Sequence, residues 1–385
     1  MPVRILHLCF SCIYPDNFAY QENILPRINH EDGHDVRILA STETFVDNVH
    51  LGYVEPSEYV TEFGVPIKRL PYVKVGNRFI THKFRAYQHL YEELAAFAPD
   101  VILCHGLQFW SVRDVIRYKK DHPQVKLYAD THADYYTSGT NWLSLHVLHR
   151  VFYRHLVKKA LPYLEKYLCI SSECRRFCIE NYGVSEEKTE FYPLGGVLFE
   201  EKDYQTHRAV RREELGVKPN ELLLVHAGKL EPQKKTDSLL RAFAAVPELK
   251  ARLAVIGSIP EENKAALTAL MAADPRVTYL GWKSGKDLQE YLCAADLYCQ
   301  PGKVSAITEN AVCCRCPVML YPHPDYVQDY GRYNNILWVK SEEDITQVLQ
   351  KLATDELDLA ALQHNSERCA RELLDYRALA ARLYR

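Results

Sequence analysis

ELLLVHAGKLEPQKKTDSLLRAF, residues 221–243, carries the pattern that decides the fold. An apolar run ends at Gly228, a basic loop follows, and from Thr236 apolar residues recur at helical spacing. A strand that leaves through glycine into a loop and a helix is the repeating half of a parallel α/β sheet. The rhythm continues downstream in ARLAVIGS (251–258), RVTYLGW (276–282), ADLYCQPG (295–302) and CPVMLY (316–321), with helix-like stretches at 236–246 and 287–295. Upstream it runs through VRILHLCF (3–10), DVRILAS (35–41), DVILCHG (100–106), KLYAD (126–130) and YLCIS (167–171). Two doubly wound, largely parallel α/β domains in series are therefore predicted, spanning 1–195 and 206–365. The hinge falls in YPLGGVLFEEKDYQ (192–205), where Pro193, Gly195 and Gly196 break the pattern. Ligands of such sheets bind beyond the carboxyl ends of the strands, so a cleft between the domains is the expected site.

Length and composition agree with this. A chain of 385 residues exceeds what one hydrophobic core supports. Hydrophobic residues at 47% and charged residues at 25% exclude a disordered chain. A formal net charge of −3 argues against a nucleic-acid binder, which carries a basic excess. No run approaches the ~18 apolar residues of a membrane span, and MPVRILHLCFSCIYPDNF has too short an apolar run for an export signal, so a cytoplasmic location is expected. The 12 cysteines are scattered and read as reduced, mostly buried thiols. Cys313, Cys314 and Cys316 lack the partner pair that a tetrahedral zinc site needs, and no metal is expected.

Two loops hold candidate binding groups. In HAGKLEPQKK (226–235) Gly228 permits a tight exit from the strand, while Lys229 and Lys234 stand before a helix, within reach of one anion. The alternative is a solvated basic loop. In PGKVSAITENAV (301–312) the Pro-Gly pair turns the chain and Ser305 reads as the N-cap of a helix, its amide and that of Ala306 left open to a phosphate. Glu309 follows one turn later, placed to accept hydrogen bonds from vicinal ribose hydroxyls or else simply to favour the helix dipole. In the first half, His105 and His132 each follow a strand directly, and Tyr20, Gln21 and Glu22 open a helix after the first strand.

Taken together, GKLEPQK (228–234) and PGKVSAITENAVCCRCPV (301–318) resemble the Gly-Arg-Leu-x3-Lys loop and the Glu-x7-Glu segment of GT-B glycosyltransferases, family 4. GHDV (33–36) resembles that family's Gly-His-x-Val. The resemblance implies a GT-B fold, with an acceptor-binding first domain, a donor-binding second domain and a C-terminal helix, 366–385, crossing back to the first. It implies a retaining transferase that moves a sugar from a UDP-sugar to a hydroxyl of a glycan or lipid-linked precursor, in bacterial surface polysaccharide or glycoconjugate synthesis. The donor would be held without metal or further cofactor by Gly228, Lys229, Lys234, Val304, Ser305, Ala306 and Glu309. His105, His132, Lys229 and Lys234 would serve the chemistry, and Tyr20, Gln21 and Glu22 the acceptor. There are departures: Lys229 replaces the usual arginine, Pro301 the first glutamate, and Arg315 a common glycine. A family branch with a Pro-Gly-x-x-Ser loop is closer. A nucleotide-sugar epimerase and a non-catalytic glycan- or partner-binding protein stay open as alternatives.

From Phe63 to Tyr91 there is no acid, while Lys68, Arg69, Lys74, Arg78, Lys83 and Arg85 all occur; Arg150, Arg154, Lys158 and Lys159 form a second basic group. Such patches attract an anionic acceptor or the inner face of a membrane, a weak peripheral association, or else form a solvated edge.

Overall fold

The computed structural model describes residues 2–18, 20–46, 50–136 and 138–385. The chain forms two compact units, Met1–Pro193 with Tyr376–Arg385, and Leu194–Asp375.

The first unit is built on an eight-stranded sheet. Its order is Thr189–Phe191, Tyr167–Cys169, Lys126–Thr131, Val101–His105, Arg4–Cys9, Asp35–Ser41, Pro66–Leu70, Ser57–Val60. Every pairing is parallel except the last. Strand Arg4–Cys9 sits at the switch point, with Leu6 beside Ile102 on one side and Arg37 on the other. Its side chains alternate between two buried layers: Leu6, Leu8 and Phe10 join one core, Ile5 and Cys9 the other. His7 shares the face of Ile5 and Cys9, beneath helix Gln21–Glu31.

The second unit has six strands, all parallel: Val277–Gly281, Ala251–Ile256, Leu222–Ala227, Leu297–Gln300, Val318–Leu320, Ile336–Trp338. Two strands leave through Gly228 and Gly257, each at φ +134°. A Cβ on Gly257 would fall 1.8 Å from the Gly228 carbonyl oxygen, so only glycine allows the two exits to run so close.

The two α/β sheets are those read from the sequence, and all ten expected strands are present within a residue or two. The strands Ser57–Val60, Pro66–Leu70, Thr189–Phe191 and Ile336–Trp338 were not read. Within 366–385, residues up to Asp375 stay with the second unit and Tyr376–Arg385 belongs to the first. There Tyr376, Leu379 and Leu383 enter the core on the Ile5 face, Arg377 pairs with Glu31 and Asp32, and Arg382 with Glu190. All 12 cysteines are free thiols, and every one but the half-buried Cys12 is buried. Among the described residues no helix is long and apolar enough to cross a membrane.

Candidate functional site

In the second unit the two motif loops are locked to each other. The Lys303 N–H donates to the Gln233 carbonyl at 2.8 Å, and Lys234 Nζ donates to the Val304 carbonyl at 3.1 Å. A Cβ on Gly302 would lie 2.2 Å from the Gln233 oxygen. Burial, aided by the Lys303 charge, pulls the Lys234 pKa down to about 8. Lys229 is exposed and pairs with Glu231 at 2.9 Å. Gly228 lies close to the start of helix Ile307–Cys313, its added Cβ 3.7 Å from Ile307 Cδ1. Lys235 adopts φ +58° and leads into helix Thr236–Ala244. A cavity of about 580 Å³ opens beside these loops, lined among others by Lys235, Gly302, Lys303, His323 and Lys340.

Ser305 is not the helix cap that its sequence position suggests. Helix Ile307–Cys313 starts later, with Ala306 at the cap and no side-chain cap bond. The Ser305 N–H is also engaged: it donates to the Tyr326 hydroxyl at 2.9 Å, so the tyrosine supplies the partner that a cap or an anion would. Glu309, on the first turn, is 6% exposed. Its Oε1 accepts from the Tyr330 hydroxyl at 3.2 Å, and its Oε2 has no partner among the described residues. Burial pushes the carboxyl up to about 7. Such a buried acceptor oxygen is open to a donor from a hydrogen-bonding ligand or an ordered water.

In the first unit the strand ends hold a polar chain. His105, 2% exposed, donates from Nδ1 to Asp130 Oδ2 at 2.6 Å, and its Nε2 meets His7 Nδ1 at 3.1 Å. Burial opposes charge on His105, but the Asp130 carboxylate outweighs it and holds the imidazolium to about 10. Burial and the neighbouring His105 charge keep His7 neutral. His105 therefore donates to His7 Nδ1, and the His7 Nε2–H needs an acceptor. The Asn29 amide lies 3.1 Å away, and its oxygen is the group that can accept this proton. Both ring nitrogens of His105 are thus engaged inside the protein. His132 is more exposed and lies 3.1 Å from Gln21 Oε1. Gln21 and Glu22 are buried, while Tyr20 is 45% exposed. A cavity of about 440 Å³ lies over these strand ends, lined by Ser11, Cys12, Glu22, Lys83, Arg85, His105, Gln108, His132, His149 and Tyr153, among others.

Residues 30–195 match the family model described as glycosyltransferase family 4, and residues 221–355 match that of glycosyl transferases group 1. The chain belongs to the group 1 glycosyltransferases of GT-B fold. A D-inositol 3-phosphate glycosyltransferase from Mycobacterium sp. (strain KMS) is 32% identical over 119 residues, which are 29% of this chain and 27% of that protein. The match thus spans only about a quarter of the curated relative's length. A glycosyltransferase from Rickettsia africae superposes with a TM-score of 0.68 at 12% identity, covering 99% of this chain and 96% of that one. Anabaena HepE, solved with UDP, does so with a TM-score of 0.67 at 15% identity, covering 98% of each. At these identities the structural likeness speaks for the GT-B fold alone.

Several groups that shape the site in this group 1 chain escape sequence reasoning. Tyr326 and Tyr330 sit on helix Pro324–Tyr330, a full strand and loop after the residues they touch. His7 lies in mid-strand, where nothing marks it as polar business. Arg150 and Arg154, read as a patch for an anionic acceptor or a membrane or else as a solvated edge, donate to the Asn181 side chain and carbonyl at 2.8 and 3.0 Å.

Proposed function

We propose that the chain is a retaining glycosyltransferase that moves a sugar from UDP-sugar to a hydroxyl of a glycan or lipid-linked precursor, in bacterial surface polysaccharide or glycoconjugate synthesis. The observation that carries the reading is Glu309, a buried carboxylate with one unpartnered oxygen, one helical turn beyond the locked loops. Vicinal ribose hydroxyls are the donors that such an oxygen accepts. Family membership supports the transfer chemistry, as do the glycosyltransferase name of the curated relative and the presence of UDP and glucose in one structure of Anabaena HepE.

Donor binding falls to the second unit and acceptor binding to the first, at the cytoplasmic side. As the bond from the anomeric carbon to the phosphate oxygen breaks, charge develops on the leaving diphosphate. Lys229 and Lys234 neutralise it, assisted by the loop amides of Val304, Ser305 and Ala306, so no metal is required. For Ser305 this means exchanging the Tyr326 hydroxyl for phosphate. Removing one such donor commonly costs on the order of a hundredfold in rate. The departing phosphate oxygen takes the proton of the attacking hydroxyl on the same face of the sugar, and no protein nucleophile is used. His132, with Gln21 and Glu22, faces the acceptor; His105 fixes Asp130 beneath them rather than touching the reacting atoms.

Calorimetric titration of UDP, GDP and ADP, with and without EDTA, tests the donor assignment. UDP is expected to bind selectively and without metal, with binding lost in Glu309→Ala and in the Lys229→Ala/Lys234→Ala double variant. Absence of binding at millimolar concentration would remove the donor site; conversion of UDP-sugar with no acceptor present would turn the assignment to an epimerase.

A further inference from the structure

The cavity of the first unit is electrically polarised. Glu22 lines it near His132, whereas Lys83 and Arg85 line it beside His149. Burial, reinforced by the charges of Lys83 and Arg85, holds His149 neutral, its pKa lowered to about 4, and its Nδ1 accepts from the Tyr182 hydroxyl at 2.7 Å. Arg85 is presented with care. It adopts φ +52° directly after helix Arg78–Phe84, a costly conformation for a residue with a side chain. The Trp110 N–H donates to the Arg85 carbonyl at 3.0 Å, and the Phe84 ring stacks on Trp110 with centroids 4.4 Å apart, which holds that backbone in place.

The guanidinium donates to the Ser11 carbonyl at 2.9 Å. Lys83 lies over the Phe79 ring at 5.9 Å. Among the described residues neither cation has a carboxylate within ion-pair distance, and the sequence from Phe63 to Tyr91 supplies none. A half-buried cation such as Arg85 is normally paired, because taking charge out of water is costly. Arg85, half-buried with its backbone held by Trp110, and the exposed Lys83 thus present two cations on one wall of a 440 Å³ cavity.

We propose that this cavity binds an acceptor bearing an anionic group, a phosphate or carboxylate on a hydroxylated molecule, with Arg85 and Lys83 anchoring the anion and Glu22, His132 and Ser11 facing the hydroxyls. The inference rests on the acceptor role given above to the first unit, and it adds the charge of the substrate.

The test titrates glycerol 3-phosphate, glycerate, inorganic phosphate and glycerol into the whole chain, with UDP as a separate ligand. Glycerol 3-phosphate or glycerate is expected to bind at least tenfold tighter than glycerol, with affinity falling as salt rises; whichever is tighter identifies the anion. Arg85→Gln is expected to weaken that binding at least tenfold and Lys83→Gln severalfold, while Arg85→Lys retains part of it. UDP affinity should stay at the wild-type value in each variant. Equal binding of glycerol and both anions overturns the proposal, as does unchanged anion binding in Arg85→Gln and Lys83→Gln. Preference for inorganic phosphate over glycerol 3-phosphate also overturns it, since the hydroxyl end then contributes nothing. If Arg85→Gln fails to fold, the exposed Lys83 decides. Loss of UDP binding with the anion site intact would strike the donor reading alone.

Discussion

Glu309 shows how a single residue trades stability for binding. Its carboxyl titrates at about 7 in the folded chain against an ordinary value of 4.5, so the folded state keeps its proton longer than the unfolded one. Stability therefore falls as pH rises from about 4.5 to 7, and the full cost stands above 7. Glu309→Gln is expected to raise unfolding free energy at pH 8 by up to about 3 kcal/mol, read by urea denaturation, while abolishing UDP binding. Lys234 works in the other direction: it loses its charge above about 8. UDP affinity in the wild type should accordingly peak between about pH 7 and 8, rising as Glu309 ionises and falling as Lys234 is neutralised. A flat calorimetric profile from pH 6 to 9 would separate both groups from the nucleotide. Asp130→Asn removes the counter-charge of the buried His105; we expect a loss of about 3–5 kcal/mol and a His105 pKa lowered below neutrality, visible by NMR titration. Glu309 was legible because its spacing from the Pro-Gly pair is local. Its partner Tyr330 was not, since their contact depends on how a later helix packs.

At the scale of elements, most strands were legible for a physical reason. A parallel strand buried on both faces reads as an unbroken apolar run, and Leu222–Ala227 is such a run. Strand Pro66–Leu70 begins with proline and carries Lys68 and Arg69, so its sequence reads as a loop. Arg69 is nonetheless 2% exposed, held by the Tyr14 and Ser41 carbonyls, Asp16 and the Tyr59 hydroxyl. That burial is repaid by partners far along the chain, which no periodicity reveals. The same limit hid the lock between the motif loops. Gly302→Ala puts a methyl group against the Gln233 carbonyl and must break the Lys303–Gln233 bond. We expect a folded protein whose UDP affinity falls tenfold or more, by calorimetry, since misplacing binding groups by an ångström is that costly.

The whole molecule is two compact units joined covalently, and they are expected to melt separately. Differential scanning calorimetry should resolve two transitions, and UDP at a hundred times its Kd should stabilise only one of them, by about 2.7 kcal/mol. A single transition moving as one body would show that the units unfold together. Leu383→Ala is expected to destabilise the other transition by about 2–5 kcal/mol, because Leu383 is fully buried in the core of the first unit.

That last placement bears on how the protein is made. Residues up to Pro193 leave the ribosome first, but Tyr376, Leu379 and Leu383, which seal one layer of their core, emerge only after the entire second unit has been translated. At ~5–20 residues per second the nascent first unit waits on the order of ten seconds or more with an apolar face open to water. During that interval it is a natural client for a chaperone, and the second unit, whose strands are contiguous in sequence, completes its own sheet before the first can close.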